Sequence, residues 1–310
     1  MIVFGPIPSR RLGRSLGINN IPPKTCSYSC IYCQVGRTDC LTLNQKPFFS
    51  TDTIYNETAS KIKQLRAKDE KIDYITFVPD GEPVLDINLG STIESLKEFG
   101  IKTAVITNGS LLWNDSVKKD LMDADLVSIK IDTVFRGIWK QINRPHGELK
   151  LNNITRGILD FSCSFKGTLY TETMLTTGIN DTVESLYVTA DFIKSVQPSK
   201  AYLLVPTRPP AVETAAAPDI NNRNTALNIF RSKIENSFLL DYDEGNNFSF
   251  TSEAKNELLD ILSVHPMKKK AVKDFLMKAD LSWDLIRTLV SEDILRTEEY
   301  SGDIFYVKNN

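Results

Sequence analysis

Short apolar runs alternating with helical patterns over the first two thirds of the chain predict an α/β fold, a partial (β/α)6 barrel. A later shift to short helices followed by a hairpin predicts a small C-terminal α+β module, and a Pro- and Ala-rich stretch marks the join. In chain order, SLGIN (15–19) reads as a strand, and TIYNETASKIKQLRA (53–67) carries the i, i+3/i+4, i+7 apolar spacing of a helix. Four further strand–helix pairs follow: IDYITFV (72–78) with IESLKEF, KTAVIT (102–107) with SVKKDLMD, LVSIKID (126–132) with ITRGILDF, and LYTETML (169–175) with VESLYVTADFIKSV. AYLLVP (201–206) closes the series as the sixth strand. Six units are too few for a closed eightfold barrel, and in either architecture the site belongs at the C-terminal ends of the strands. PTRPPAVETAAAPD (206–219) holds the boundary, so the expected division is a barrel over 1–210, a linker over 211–222 and a C-terminal domain over 223–310. In that domain AKNELLDIL, KKKAVKDFLMKA and SWDLIRTLVSED read as helices, and ILRTEEYSGDIFYVK as two strands around a Ser-Gly-Asp turn. Three helices plus a hairpin suggest a winged-helix-like module.

With 310 residues, 41% apolar and 25% charged, the composition is that of a globular chain and excludes disorder, collagen and low complexity. A net charge of −2 gives no global attraction to nucleic acid or an anionic membrane. The N-terminus has no apolar signal region, and no run approaches the roughly 18 apolar residues of a spanning helix, so a cytoplasmic protein is expected. Residues 251–310 carry nine Lys/Arg against eleven Asp/Glu, and SWDLIRTLVSED has Arg287 against Asp284, Glu292 and Asp293. Duplex DNA binding by the module is therefore not expected. Lys268, Lys269 and Lys270 read as a solvated helix start, while Trp283, Phe305 and Tyr306 are either module core or anchors for a partner.

Of the five cysteines, Cys26, Cys30, Cys33 and Cys40 crowd into one segment and Cys163 stands apart. An odd number so distributed fits a disulfide framework poorly and a metal or redox site well. Cys26-x3-Cys30-x2-Cys33 lies in a loop just after the first expected strand, where three thiolates can take three corners of an iron–sulfur cubane and leave one iron open. Zinc, with Cys40 or His146 as fourth ligand, is the weaker alternative, because structural zinc cysteines usually come as two separated pairs.

With Tyr32 one residue before the third cysteine, this segment resembles the signature of the radical S-adenosylmethionine (radical SAM) enzymes. Gly81-Glu82-Pro83, Thr107-Asn108-Gly109 and Ser128-Ile129-Lys130-Ile131-Asp132, each at an expected strand end, extend the resemblance over residues 1–210. It implies a [4Fe–4S] cluster on Cys26, Cys30 and Cys33, its unique iron chelated by the methionine part of S-adenosylmethionine. It also implies reductive cleavage to a 5′-deoxyadenosyl radical, and so a reductant of flavodoxin or ferredoxin type. Glu82, behind a glycine that admits close approach, is the candidate to orient the methionine ammonium. Alternation along a strand puts Ser128, Lys130 and Asp132 on one face, where Lys130 and Asp132 can meet the ribose and carboxylate of the nucleoside. Tyr32 either lies against adenine or packs beside the cluster, Asn108 is in support, and Glu172 and Arg208, at the ends of the fifth and sixth strands, are cofactor or substrate contacts or else a buried pair with one another. Arg10, Arg11 and Arg14, interleaved with Gly and Ser, suit an anion-contacting loop, and His146 is a candidate proton donor.

Within the superfamily, GPIPSRRLGRSLGIN, PPKTCSYSCIYCQ, VPDGEPVLD and INRPH resemble the wyosine-synthase-like group. No cysteine precedes Cys26, so the second three-cysteine cluster of true wyosine synthases has no ligands here. The expected function is hydrogen abstraction from a small-molecule, peptide or RNA substrate. The alternatives are a tRNA-modifying enzyme of wyosine type and a non-catalytic iron–sulfur redox regulator.

Overall fold

A computed structural model describes residues 2–242, 245, 248 and 253–309. The chain opens with a hairpin, β1 (Val3–Ser9) antiparallel to β2 (Gly13–Ile18), paired from Val3↔Ile18 to Ser9↔Gly13 with a bulge between Phe4 and Ile7. The cysteine loop follows, bounded by two short paired strands, β3 (Thr25–Cys26) and β4 (Cys40–Leu41). Helix α1 (Thr51–Arg66), capped by Ser50 accepting from the Thr53 N–H, returns the chain to β5 (Tyr74–Phe77). The alternation continues through α2 (Leu89–Leu96), β6 (Lys102–Thr107), α3 (Asp115–Leu121), β7 (Leu126–Lys130), α4 (Arg136–Ile142), α5 (Leu151–Ser164) and β8 (Thr168–Met174). It ends with α6 (Val183–Val196), β9 (Lys200–Leu204), α7 (Ile220–Lys233) and β10 (Ser237–Leu240).

The sheet runs β1-β2-β5-β6-β7-β8-β9-β10, parallel from β2 onward. All six expected strands are in it, joined by an antiparallel edge and one further parallel strand. Its main apolar core packs the outer faces of the strands against the helices, as buried parallel strands require. A smaller cluster, Leu12, Ala104, Leu126, Tyr170, Tyr202, Leu204 and Leu240, fills the interior, with Leu12 contributed by the hairpin turn. Next to it Arg10 donates to the Leu240 carbonyl at 2.7 Å and the Tyr242 carbonyl at 3.1 Å, tying the first edge of the open barrel to the last.

This corrects the expected division. Residues 220–240 do not open the C-terminal domain. Helix α7 buries Ala226, Ile229 and Phe230 in the barrel core, and β10 pairs with β9 from Ser237↔Ala201 to Leu240↔Leu204. The Pro- and Ala-rich stretch is a loop inside the barrel, not its end.

The second unit comprises α8 (Ala254–Val264), β11 (Met267–Lys268), α9 (Lys269–Lys278), α10 (Asp284–Ser291), β12 (Leu295–Tyr300) and β13 (Asp303–Lys308). The three expected helices and the hairpin are present, with β11 added in a sheet ordered β11-β13-β12. Leu258, Ile261, Val272, Phe275, Ile286 and Leu289 give the unit its own core. Trp283 and Tyr306 meet edge to face at 5.8 Å and Phe305 is buried, so these aromatics serve that core rather than a partner. The unit docks on the barrel through Ile7 and through a buried ion pair, Lys61 on α1 to Glu257 on α8 at 2.5 Å.

Candidate active site

At the C-terminal ends of the strands lies a cavity of about 280 Å³. Its wall includes all three clustered cysteines, Tyr32, Glu82, Lys130 and Glu172. The cysteine loop is held from outside by backbone bonds, Ser29 N–H to the Asn143 carbonyl at 3.0 Å and Ile31 N–H to the Ile142 carbonyl at 2.9 Å. The thiols are thereby left half-buried and facing inward. Burial pushes the thiol of Cys30 up to about 12 and those of Cys26 and Cys33 upward as well. Cys40 and Cys163 are exposed and lie off the cavity wall.

The loop after β5 is clamped to the cysteine loop. Lys24 N–H donates to the Asp80 carbonyl at 2.6 Å and Glu82 N–H to the Thr25 carbonyl at 3.1 Å. A Cβ on Gly81 would overlap the Thr25 carbonyl, so only glycine admits this approach. Glu82, 1% exposed, accepts from Thr107 Oγ1 at 2.5 Å and from the Asn108 N–H at 2.7 Å. Burial still pushes its carboxyl up to about 7 against those bonds. Asn108 donates its amide to Ser27 Oγ at 2.9 Å, within 3.6 Å of Cys26 Sγ. The Thr-Asn-Gly turn thus bridges the carboxylate and the first cysteine.

Across the cavity, Lys130 places its ammonium 5.5 Å from the Tyr32 ring centre. Burial disfavours the charge, but Glu172 and Asp132 outweigh it and hold the ammonium above its usual range. Glu172 is buried too, which raises its carboxyl, but Arg11 and Lys130 more than reverse this. It accepts from Arg11 Nη1 at 2.8 Å and Ser128 Oγ at 2.6 Å.

Several expected contacts fall elsewhere. Pro83, Ser128 and Asp132 lie behind the wall rather than on it. Asp132 is consumed by a closed network, accepting from Tyr32 Oη at 2.5 Å, Asn143 Nδ2 at 2.6 Å and the Met174 N–H at 2.8 Å. β7 ends at Lys130, so the alternation that put Asp132 on the same face no longer governs it. Glu172 and Arg208 are not paired with each other. Arg208 donates to Gln34 Oε1 at 3.0 Å, and its Nη2 lies 3.0 Å from His265 Nε2. Arg10 and Arg11 reach the cavity, whereas Arg14 turns outward to Glu70 and the Lys71 carbonyl. His146 is off the wall, its Nδ1 accepting from the Glu148 N–H at 3.4 Å.

Among the wall residues that sequence reasoning missed are Asp80, Gln34 and His265. Gln34 follows Cys33 and Asp80 precedes Gly81-Glu82, so adjacency to motifs was an available signal. His265 had none, because it comes from the second unit and meets Arg208 across 57 residues of sequence.

The radical SAM superfamily model matches residues 20–192. A UPF0026 protein of Methanocaldococcus jannaschii is 46% identical over 313 residues, covering 99% of this chain and 96% of that protein. A UPF0026 protein of Synechocystis is 36% identical over 209 residues, covering 67% of this chain and 76% of that protein. Among solved structures, TYW1 with a lysine–pyruvate adduct superposes with a TM-score of 0.55 at 17% identity, covering 74% of this chain and 77% of that one, a likeness of fold.

Proposed function

Because the chain belongs to the radical SAM superfamily, we propose that the cavity binds a [4Fe–4S] cluster on Cys26, Cys30 and Cys33 together with S-adenosylmethionine. The observation that carries this is the convergence of the three thiols, Glu82 and Lys130 on one cavity wall at the strand ends. Among the described residues no three Cys, His, Asp or Glu side chains gather closely enough to hold a single metal ion. Sulfurs spread around the larger cubane suit that arrangement better than zinc does. When bound and reduced by a flavodoxin- or ferredoxin-type partner, cluster and cofactor supply a 5′-deoxyadenosyl radical for hydrogen abstraction from a substrate.

The chain's own residues prepare this site. Asn143 Nδ2 lies 3.4 Å from Cys30 Sγ and Asn108 Nδ2 lies 3.6 Å from Cys26 Sγ, so each gives a thiolate a weak donor. Thr107 and the Asn108 N–H fix the Glu82 carboxylate so that it can accept from the cofactor's ammonium. Lys130, held charged by Glu172, meets the carboxylate or ribose oxygens. Tyr32, anchored by Asp132, fixes the wall beside adenine. The second unit, through Val264 and His265, closes the side of the cavity and limits water.

The test is anaerobic reconstitution with iron and sulfide. Close to four irons and four sulfides per chain, a cubane absorption band, and slow release of 5′-deoxyadenosine and methionine after dithionite reduction support the reading. Stoichiometric zinc with no such band rejects it.

A further inference from the structure

Asp80 has no part in the assignments above, yet it stands on the cavity wall with 5% of its surface exposed. Its backbone is fully used: the N–H donates to Asn19 Oδ1 at 3.3 Å and the carbonyl accepts from Lys24. Its carboxylate makes no hydrogen bond and no ion pair with any described residue. Its oxygens are not sealed off without a partner but open onto the cavity, and burial still disfavours their charge. Charges that reach it through space include the Lys24 ammonium, the amino group at the start of the chain and the Lys308 ammonium. The neighbouring Glu82 shows the alternative, with both of its oxygens taken. One loop therefore presents two buried carboxylates to one cavity, one matched by the protein and one left open.

Its position gives the occupant a direction. Asp80 lies beside the cysteine loop, its carbonyl bound by the Lys24 N–H and its charge reaching Cys33, and feels Lys308 of the second unit, whose Val264 and His265 line the same cavity. Gln34 Nε2 donates to the Val264 carbonyl at 3.0 Å, so this part of the wall is a seam between barrel and module. An ionised carboxylate is an acceptor only, and it selects O–H or N–H donors. Two lysine ammonium groups nearby disfavour a cationic donor, which leaves neutral hydroxyl or amide groups.

We propose that Asp80 is a substrate-binding residue that accepts hydrogen bonds from neutral hydroxyl or amide donors of a polar substrate seated in the seam between the barrel and the C-terminal module. The proposal rests on the radical SAM reading of the cavity and adds the chemical class of the substrate.

The experiment uses the reconstituted full chain with S-adenosylmethionine bound. Glycerol and acetamide serve as donor probes and acetate as the acceptor-only control, each followed by ligand-observed NMR saturation transfer. The wild type is expected to show transfer to glycerol or acetamide, and Asp80→Asn to lose it at least fivefold. Cofactor affinity should stay within threefold in Asp80→Asn and fall at least tenfold in Glu82→Gln. The melting temperature of the cluster-free Asp80→Asn protein should equal or exceed that of the wild type, since an unmatched charge has been removed. Equal probe transfer in both proteins overturns the proposal. So does a tenfold loss of cofactor affinity in Asp80→Asn, which would assign the carboxylate to the cofactor, or a lowered melting temperature, which would make it structural. If the wild type takes up neither cluster nor cofactor, the underlying reading fails instead.

Discussion

The barrel mouth and the C-terminal module solve opposite problems. The module keeps most of its charge near the surface: its aromatics fill its own core, Arg287 pairs with Asp284 at 3.2 Å and Lys268 with Asp303 at 2.7 Å, and only Asp260 Oδ2, among its described side chains, is buried without a partner. The mouth buries Glu82, Asp80 and Glu172 and half-buries Lys130 and three thiols around a cavity, and burial penalises the ionised forms of Asp80, Glu82 and the thiols. The buried charge of the cavity therefore resides in the barrel, and the module supplies wall and enclosure. The lesson is one of placement: costly buried charge gathers where the parallel strand ends converge, and the module's ion pairs sit mostly toward its surface.

The hardest test of that contrast is removal of a thiol. Cys26→Ala, Cys30→Ala or Cys33→Ala should each abolish stable iron uptake, while Cys40→Ala and Cys163→Ala retain it, as iron and sulfide assays will show. Full iron retention in any of the first three would break the comparison. Next is the seam. Lys61→Met removes the ion-pair partner of the buried Glu257 carboxylate and should cost about 3–5 kcal/mol in urea unfolding, whereas Lys61→Met with Glu257→Leu should recover most of it. An unchanged single variant would mean that the two units dock without this pair.

Inside the mouth, Glu82→Ala should weaken S-adenosylmethionine binding by about 1.5–3 kcal/mol, the range for a charge-assisted hydrogen bond, measured by calorimetry. Asp132→Ala separates the closed network from the open site. It strands the donors of Tyr32, Asn143 and Met174 and should lower stability by about 1–3 kcal/mol. A loss of cofactor affinity as large as that of Glu82→Ala would return Asp132 to the binding surface.

The pH dependence of stability is subtler. Burial raises the carboxyls of Asp80 and Glu82 to about 7 from their ordinary values of 3.8 and 4.5. The fold thus holds protons that the unfolded chain has released. The stability these two groups contribute to the cluster-free protein is fully present below about pH 4, falls as pH rises through 7 and levels off above, and Asp80→Asn should flatten part of that slope in urea titrations. A slope of opposite sign would mean that these carboxylates are stabilised in place. Smallest of all is the expected response to duplex DNA: a gel shift at physiological salt should show none, given the module's balance of nine Lys/Arg to eleven Asp/Glu.

Much of the barrel was legible because buried parallel strands leave dense apolar runs, such as KTAVIT and LVSIK, that nothing else in the chain imitates. β1 was hidden because Gly5-Pro6 interrupts it, tolerable only on an edge strand with a bulge. α7 was misassigned because it buries only Ala226, Ile229 and Phe230, too few to reveal its face, and it follows a stretch that reads as a linker. In the site, the three cysteines and Glu82 were legible because their spacing is local. Asp132 was misplaced because a strand's alternation was carried past the strand's end, and His265 was invisible because no local pattern records a contact made between two units.

The bond from Arg10 to the Leu240 carbonyl has a consequence for the order of events on the ribosome. Residue 10 emerges among the first parts of the chain and its partner 230 residues later, so the ring cannot be drawn shut until most of the protein has been made. The cysteine segment, emerging soon after the hairpin, spends that interval beside an unfinished wall. Under the proposed reading, cluster loading has an early window in which the thiols are open to solvent. A variant that loosens the clasp, Arg10→Ala, should prolong that window and speed cluster uptake by the finished apoprotein.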